Sequence, residues 1–397
     1  ISYGLIGEQQ GVGFYPAYNT FDVNNLNDEI SISERNIGNP DLTWETSKMF
    51  QTGIEFGLGK YLEGNLDYYI KTTDNLLFER RVGPSVGYAL ITVNDGLLRN
   101  SGFEFDFTAH IINQPDYGLD FSINGEILHN ELITMPIDPA TEEPKILDVQ
   151  GRYGRAEGHS LYDFYTRAWA GVDPADGTAM WFQNYYDENG NGEMDSGEAI
   201  TSLFEYTTAN PDHEISETIT KSYASATERF VGKSAIPDLR GGFRLEGRVK
   251  NFDISTQFLY SLGGYAYDGA YAVLMSNDVI GGNNWHTDIF ERWQNPGDIT
   301  NVPRLSNNYD TRVNAGSTRF ITKADYLTLN NVRIGYTFPD FVENLGISYL
   351  NIFVSGDNLF LLSARDGFNP STAETGASSM YRYSPLSTYT AGIKVNF

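Results

Sequence analysis

The sequence runs to 397 residues without a cysteine and carries 27 basic against 52 acidic side chains, a net charge of −25. The missing cysteines exclude disulfide scaffolds, Cys-type zinc sites and thiol nucleophiles. The acidic balance argues against a nucleic-acid binder, which needs clustered Lys and Arg.

Twenty-six Tyr, 24 Phe and 40 Gly make a β-rich, turn-rich composition. No run of about 18 apolar residues is present, so no transmembrane helix is expected; a membrane protein built of strands stays open. The chain starts mid-pattern at Ile1 with no signal peptide, which reads as a fragment of a longer protein.

Apolar and polar residues alternate from segment to segment. Phe50, Ile54, Phe56 and Leu58 alternate with Gln51, Gly53, Glu55 and Gly57, and Leu66, Tyr68 and Ile70 with Asn65, Asp67 and Lys71. Phe103, Phe105, Phe107, Ala109 and Ile111 oppose Glu104, Asp106, Thr108 and His110, while Leu119, Phe121, Ile123 and Ile127 oppose Asp120, Ser122, Asn124 and Glu126. Phe243, Leu245 and Val249 face away from Arg244, Glu246 and Arg248, and Phe252, Ile254, Phe258 and Tyr260 away from Asp253, Ser255 and Gln257. Val332, Ile334, Tyr336 and Phe338 oppose Asn331, Arg333 and Thr337, and the last segment puts Tyr389, Ala391, Ile393, Val395 and Phe397 on one face.

A soluble sandwich alternates too, with its apolar face inward. Two features favour a transmembrane antiparallel β-barrel. The segments reach about ten residues, the length a tilted strand needs to cross hydrocarbon, and their polar faces carry ionised groups suited to a wet lumen. Short turns at Gly59-Lys60, Gln114 to Tyr117 and Lys250-Asn251 alternate with long polar segments at 72–98, 132–160, 264–325 and 363–385. That alternation assigns the long segments to the cell exterior and predicts about 12 membrane strands. Residues 161–187 fit either a spanning hairpin or a folded outer loop.

Several passages resemble the C-terminal half of the SusC/RagA family of TonB-dependent transporters. They are Gly38-Asn39-Pro40-Asp41-Leu42-Thr43-Trp44-Glu45-Thr46, Arg99-Asn100-Ser101-Gly102-Phe103-Glu104, Gly171-Val172-Asp173-Pro174 with Gly177, and Ile236-Pro237 with Gly241-Gly242-Phe243. Trp293 to Asp298, Ser317-Thr318-Arg319-Phe320, Tyr326-Leu327-Thr328-Leu329 and Asp357-Asn358-Leu359-Phe360 follow in the family's order. Pro385-Leu386-Ser387-Thr388-Tyr389 departs from it by lacking the family's Arg.

The resemblance implies that residues 1–397 are the C-terminal part of a 22-stranded barrel in the outer membrane of a Gram-negative, Bacteroidetes-type cell. Residues 132–238 would be a large extracellular loop region. The plug domain would lie outside this chain, and TonB would act through it. A SusD-like surface lipoprotein would form the lid, and oligosaccharides or peptides would be the cargo. The alternative is a SusC-like barrel recruited as a scaffold in a larger outer-membrane assembly. A soluble glycan-binding β protein is the third reading.

Residues 187–198 fit the twelve-residue calcium loop. Asp187, Asn189 and Asn191 would give side-chain oxygens, Glu193 its carbonyl, Asp195 a water-mediated contact and Glu198 two oxygens, with Gly192 at the sharp turn. Strands are expected on both sides, Thr178 to Tyr186 and Ile200 to Tyr206, which makes Ca2+ structural here. The alternative is a metal-free acidic turn. The final segment, Tyr389, Ala391, Ile393, Val395 and Phe397, resembles a barrel-assembly signal.

No catalytic residue is expected, and the protein reads as a non-enzyme. Gly83-Pro84-Ser85-Val86-Gly87 matches a nucleophile pattern but precedes a strand-like run where a helix is needed. The five His are scattered, and Glu104 and Asp106 read as solvated lumen charge. Tyr153, Tyr162, Tyr165, Tyr265, Tyr267, Trp285 and Trp293 are candidate ligand or lid contacts, set against the plainer role of packing the loops.

Overall fold

The eight alternating segments, with Ser2–Glu8 and Tyr349–Ser363, join in one antiparallel sheet, each strand paired to the next of the series. In order they are Ser2–Glu8, Glu45–Leu58, Leu62–Asp74, Leu97–Asn113, Tyr117–Thr134, Leu239–Val249, Phe252–Leu262, Tyr326–Thr337, Tyr349–Ser363 and Thr388–Asn396. The structure is a computed structural model and describes residues 1–8, 14–81, 90–138, 141–277, 284–307, 309–310, 312–339, 346–373, 375–379 and 381–397. The Gly83–Gly87 pattern lies outside the described residues.

Side-chain alternation fixes the register, because a slip of one residue would send every apolar group to the polar face. Phe103 and Ile127, Phe107 and Ile123, Phe121 and Leu245, and Ile254 and Ile334 therefore sit opposite one another. Phe243 stacks on Phe258 with centroids 4.6 Å apart, and Tyr68 lies 4.8 Å from Phe103. This apolar face is not a core. Ile54 is 67% exposed, Val354 54% and Ile393 66%, so the oily rows look away from the rest of the protein. A sandwich would have buried them.

The turn chemistry follows the same plan. At one end of the sheet Gly59 adopts φ +60° and Lys250 φ +53°, closing the tight connections after Leu58 and Val249. On the outer face, Gly125 leaves room for Tyr260. A Cβ there would come within 2.8 Å of the Tyr260 hydroxyl, which donates to the Asn124 carbonyl.

The opposite end carries the long connections. Thr20–Leu26 pairs with Glu29–Asn36, and Leu77–Arg81 with Leu90–Asn94. Between Thr134 and Leu239 the chain folds two small four-stranded sheets. One contains Asp148–Gln150, Tyr153–Arg155, Asp163–Arg167 and Glu228–Ser234; the other contains Trp169–Val172, Ala179–Tyr185, Ala199–Ile200 and Ser216–Thr220. Residues 161–187 thus belong to this folded loop region. Among the described residues the main sheet accordingly holds ten strands, where the sequence pattern had predicted about twelve. The sequence also suggested a strand over Ile200 to Tyr206, but the chain turns into a helix at Leu203–Ala209.

The buried core sits in this loop assembly. Phe164, Tyr267, Met275, Val302, Phe320 and Ile321 are buried together. The sheet itself is not closed among the described residues, since Ser2–Glu8 and Thr388–Asn396 each pair with a single neighbour.

Candidate functional site

The inner face of the sheet is polar and highly charged. Asp67, Glu104 and Glu126 stand directly opposite one another across three strands, and Arg240 follows on the fourth. Opposed like charges destabilise a sheet pair, so this row requires water and local compensation. Arg240 supplies part of it, with Nη2 2.6 Å from Glu126 Oε2, and the Tyr69 hydroxyl donates to the other oxygen of Glu126 at 2.9 Å. Thr108 and Ser122 share a hydrogen bond of 2.9 Å, and His110 Nδ1 lies 2.7 Å from Asp120.

Near the tight-turn end, Arg333 pairs with Asp253 and donates to buried Asn351, whose amide in turn donates to Thr337. A face of this kind cannot meet lipid, because an ionised side chain in hydrocarbon is expensive. Together with the exposed apolar face it matches a wall with acyl chains on one side and an aqueous lumen on the other.

Above the wall, the candidate contact residues are built into the loop assembly. Tyr165 is 3% exposed and its hydroxyl bonds Ser202 at 2.7 Å and the Glu228 carbonyl at 3.1 Å. Burial pushes its pKa up to about 12. Tyr267 is buried, while Tyr153, Tyr162, Tyr265 and Trp285 are half-buried and pack on the same core. Tyr153 meets Tyr162 edge-on at 5.7 Å, and Trp285 Nε1 donates to the Ser276 carbonyl.

Trp293 serves a different corner. Its Nε1 donates to the Pro174 carbonyl at 3.0 Å, and the Gly297 amide donates to the same oxygen at 2.7 Å. The Gly171–Gly177 turn and the Trp293–Asp298 loop, far apart in sequence, are therefore one joint. Next to that joint Lys221 lies 2.5 Å from Asp173 and 2.8 Å from Asp176. The lysine holds both carboxyls below the usual carboxylate range, and they raise its own pKa.

The Asp187–Glu198 loop spans the short hairpin formed by Tyr185 with Ala199 and Asn184 with Ile200. Its side-chain oxygens turn onto its own backbone. Asp187 accepts from the amides of Asn191 and Gly192, Asn189 from Asn191, Asn191 from Glu193, and Glu198 from Glu188 and Asp195. Asn189 and Asn191 both donate to Asp195, and Gly192 adopts φ +79°. The donor set is all oxygen, the kind a hard cation takes. Among the described residues no three His, Cys, Asp or Glu side chains converge as a metal cage, so a cation here would have to add amide and carbonyl oxygens to the loop's carboxylates.

Sequence reasoning missed the polar lock of the outer loops. Asp268 is buried, caps the helix Gly269–Leu274 through the Tyr271 amide, and pairs with Arg365 from a connection nearly a hundred residues away. No spacing rule links those positions. Thr388–Asn396 is a strand, as the alternation from Tyr389 predicts. Tyr389, Ala391, Ile393 and Val395 lie over Gly356, Val354, Ile352 and Leu350, and Phe397 is exposed beyond the strand end.

Residues 11–192 match the family described as TonB dependent receptor-like, beta-barrel. A TonB-dependent receptor of Formosa agariphila is 26% identical, with 91% of this chain and 36% of the relative covered. The TonB-dependent receptor SusC of Bacteroides thetaiotaomicron is 23% identical over 84% of this chain and 30% of the relative. The chain spans about a third of the length of the curated relatives it matches. The solved RagAB peptide transporter shares the fold, with a TM-score of 0.79 at 22% identity, covering all of this chain and 40% of that one. With the two-faced wall and its one-sided loops, these matches make the chain similar to the β-barrel of TonB-dependent outer-membrane receptors, and its fold that of the RagAB transporter.

Proposed function

We propose that this chain forms wall and outer loops of an importer of oligosaccharides or peptides. The receptor works with a SusD-like surface lipoprotein as its lid and with TonB, which acts through a plug outside these residues. The loop-bearing end faces the cell exterior, and residues 132–238 are its largest loop region. The reading rests on one observation above all, the charged, water-requiring inner face of a sheet whose outer face is apolar and exposed. The solved relative is described as a peptide transporter, which agrees with it. The named relatives are receptors.

The test is uptake by cells lacking the full-length receptor. Loss of growth on a supplied oligosaccharide or peptide mixture, restored by the gene and abolished again without TonB, is expected. Unchanged uptake would remove the import role. A large stable assembly pulled down in mild detergent from such cells, with no transport defect, would favour the scaffold instead.

The Asp187–Glu198 loop supports a second, structural proposal: it binds Ca2+ through Asp187, Asn189, Asn191, the Glu193 carbonyl, Asp195 and Glu198. At affinities of about 10⁻⁴ to 10⁻³ M, typical of extracellular modules, the ion would stiffen the hairpin. Asp187→Ala with Glu198→Ala should abolish a calcium-dependent gain in protease resistance. Equal resistance of the parent with and without chelator refutes the site.

A further inference from the structure

In a chain with 52 acids and 27 bases, each cation has carboxylates to spare. Several of those in the loop assembly use them: Arg167 with Glu228, Arg229 with Glu217, Arg304 with Asp310 and Arg365 with Asp268. Arg152, Lys233 and Lys323 make no ion pair among the described residues, and the two tyrosines Tyr265 and Tyr267 bring them onto one small surface. The Arg152 guanidinium sits 3.7 Å from the centre of the Tyr267 ring and the Lys233 ammonium 5.0 Å from that of Tyr265.

Tyr265 and Tyr267 are two residues apart on one strand, so their side chains leave from the same face. Lys323 is paired directly across from Tyr265 and leaves from that face as well. Arg152 and Lys323 are exposed and Lys233 is half-buried, so solvent reaches the group.

Burial alone pushes the Lys233 pKa down, with no carboxylate near enough to hold it up. Behind Tyr267 lies another cation, Arg319, 4.9 Å from the centres of both the Phe320 and Trp169 rings. Burial pulls its pKa down to about 10, opposed by the Tyr271 and Tyr267 hydroxyls and by no carboxylate. Ring faces attract cations only weakly at exposed sites, and neighbouring like charges repel. The arrangement is therefore short of one anion. It stands just above the outer ends of Leu239–Val249, Phe252–Leu262 and Tyr326–Thr337, where cargo would enter the lumen.

We infer that Arg152, Lys233 and Lys323, set on Tyr265 and Tyr267, form a subsite for a carboxylate carried by the imported oligomer. This rests on the import reading above and narrows its cargo to acidic ligands. A carboxylate accepts from the planar Arg152 fork while the two ammonium groups neutralise it. The group has two natural sources, a uronic-acid oligosaccharide or the free end or acidic side chain of a peptide.

The experiment uses the full-length receptor in mild detergent and calorimetric titration with four probes: a uronic-acid oligosaccharide, a neutral oligosaccharide of equal length, an acidic peptide and its amidated counterpart. One carboxylated probe should bind more tightly than its neutral match, and more weakly as salt rises. Arg152→Gln and Lys233→Gln should each weaken it on the order of tenfold, with Arg152→Lys recovering part of the loss. The probe that responds identifies the source. Unchanged melting of the variants separates lost contacts from lost folding.

Equal affinity for charged and neutral probes, or charged-probe binding untouched by the Arg152→Gln/Lys233→Gln pair, overturns the subsite. Import survives that result if cells carrying the double variant still take up a neutral oligomer. Failure of parent cells to take up any oligomer removes the import reading on separate grounds.

Discussion

Ile54→Arg puts the two-faced wall at risk in a single residue. Ile54 is 67% exposed, lies opposite Leu66, and that residue lies opposite Phe105 on the next strand. If the face meets acyl chains, an arginine there must be carried into hydrocarbon, at a cost of about 2–4 kcal/mol near the midplane. That is a roughly 30- to 1,000-fold drop in the folding equilibrium. If the face met water, an exchange at so exposed a position would stay within about 0.5 kcal/mol.

The companion substitution is Gln51→Arg on the same strand. Gln51 donates to Asp67 at 3.3 Å on the inner face, and an arginine there keeps a carboxylate partner in a wet lumen. An exposed pair of that kind is worth about 0–1 kcal/mol, so the variant should match the parent. The assay is reversible denaturant unfolding of the full-length receptor refolded into lipid vesicles. Two equally tolerated arginines would refute the assignment of faces, as would greater damage from Gln51→Arg.

Three further outcomes follow from the loop assembly. Gly177→Ala should loosen the joint between the Asp173 turn and Trp293, because Gly177 adopts φ +75° and a Cβ would lie 2.4 Å from the indole. With about 1–2 kcal/mol of left-handed strain added, a red-shifted tryptophan emission and a lower melting point are expected, and an unchanged spectrum would reject the packing.

Phe164→Ala removes a ring with no exposure from the loop core, a change worth about 3–5 kcal/mol. Faster hydrogen exchange across 148–167 and 228–234 is expected, and unaltered protection there would deny that Phe164 anchors the assembly.

Asp173 and Asp176 have folded pKa values below their unfolded ones. Their stabilisation is therefore present above the unfolded value of about 3.9 and fades as pH falls through the folded ones. Lys221, with its pKa raised, adds stability below about 10.4 that is lost as pH rises through its folded value. Lys221→Met should move the Asp176 carboxyl titration upward, and an unmoved titration would count against the pairing.

Much of the wall was legible because its signal is local and repeated. Phe103, Phe105 and Phe107 against Glu104, Asp106 and Thr108 announce strand, face and register together, and Gly59 and Lys250-Asn251 mark the turns. The loop assembly was not legible for the opposite reason. Its strands run from two to seven residues and owe their position to distant partners, as Arg167 does to Glu228 and Asp268 to Arg365.

Residues 200–206 show how a short apolar run misleads. Leu203, Phe204 and Tyr206 suit a strand or a helical turn equally well. The pairing ends at Ile200, and Ser202, at the N-cap of the helix, bonds Tyr165. The aromatic candidates were read as ligand or lid contacts set against loop packing, and only three-dimensional packing shows Tyr165 and Tyr267 turned inward and Arg152 and Lys233 set over rings. The ten-strand count likewise depended on where residues 161–187 fold.

The native chain has no cysteine, so single cysteines can be placed one at a time from position 103 to 108 and probed in outer-membrane vesicles. A water-borne, membrane-impermeant maleimide should label positions 104, 106 and 108 after detergent opening of the lumen. A lipid-dissolved quencher should reach a fluorophore at 103, 105 and 107. Uniform water labelling at all six positions, or the opposite parity, would contradict a wall with lipid on one side and water on the other.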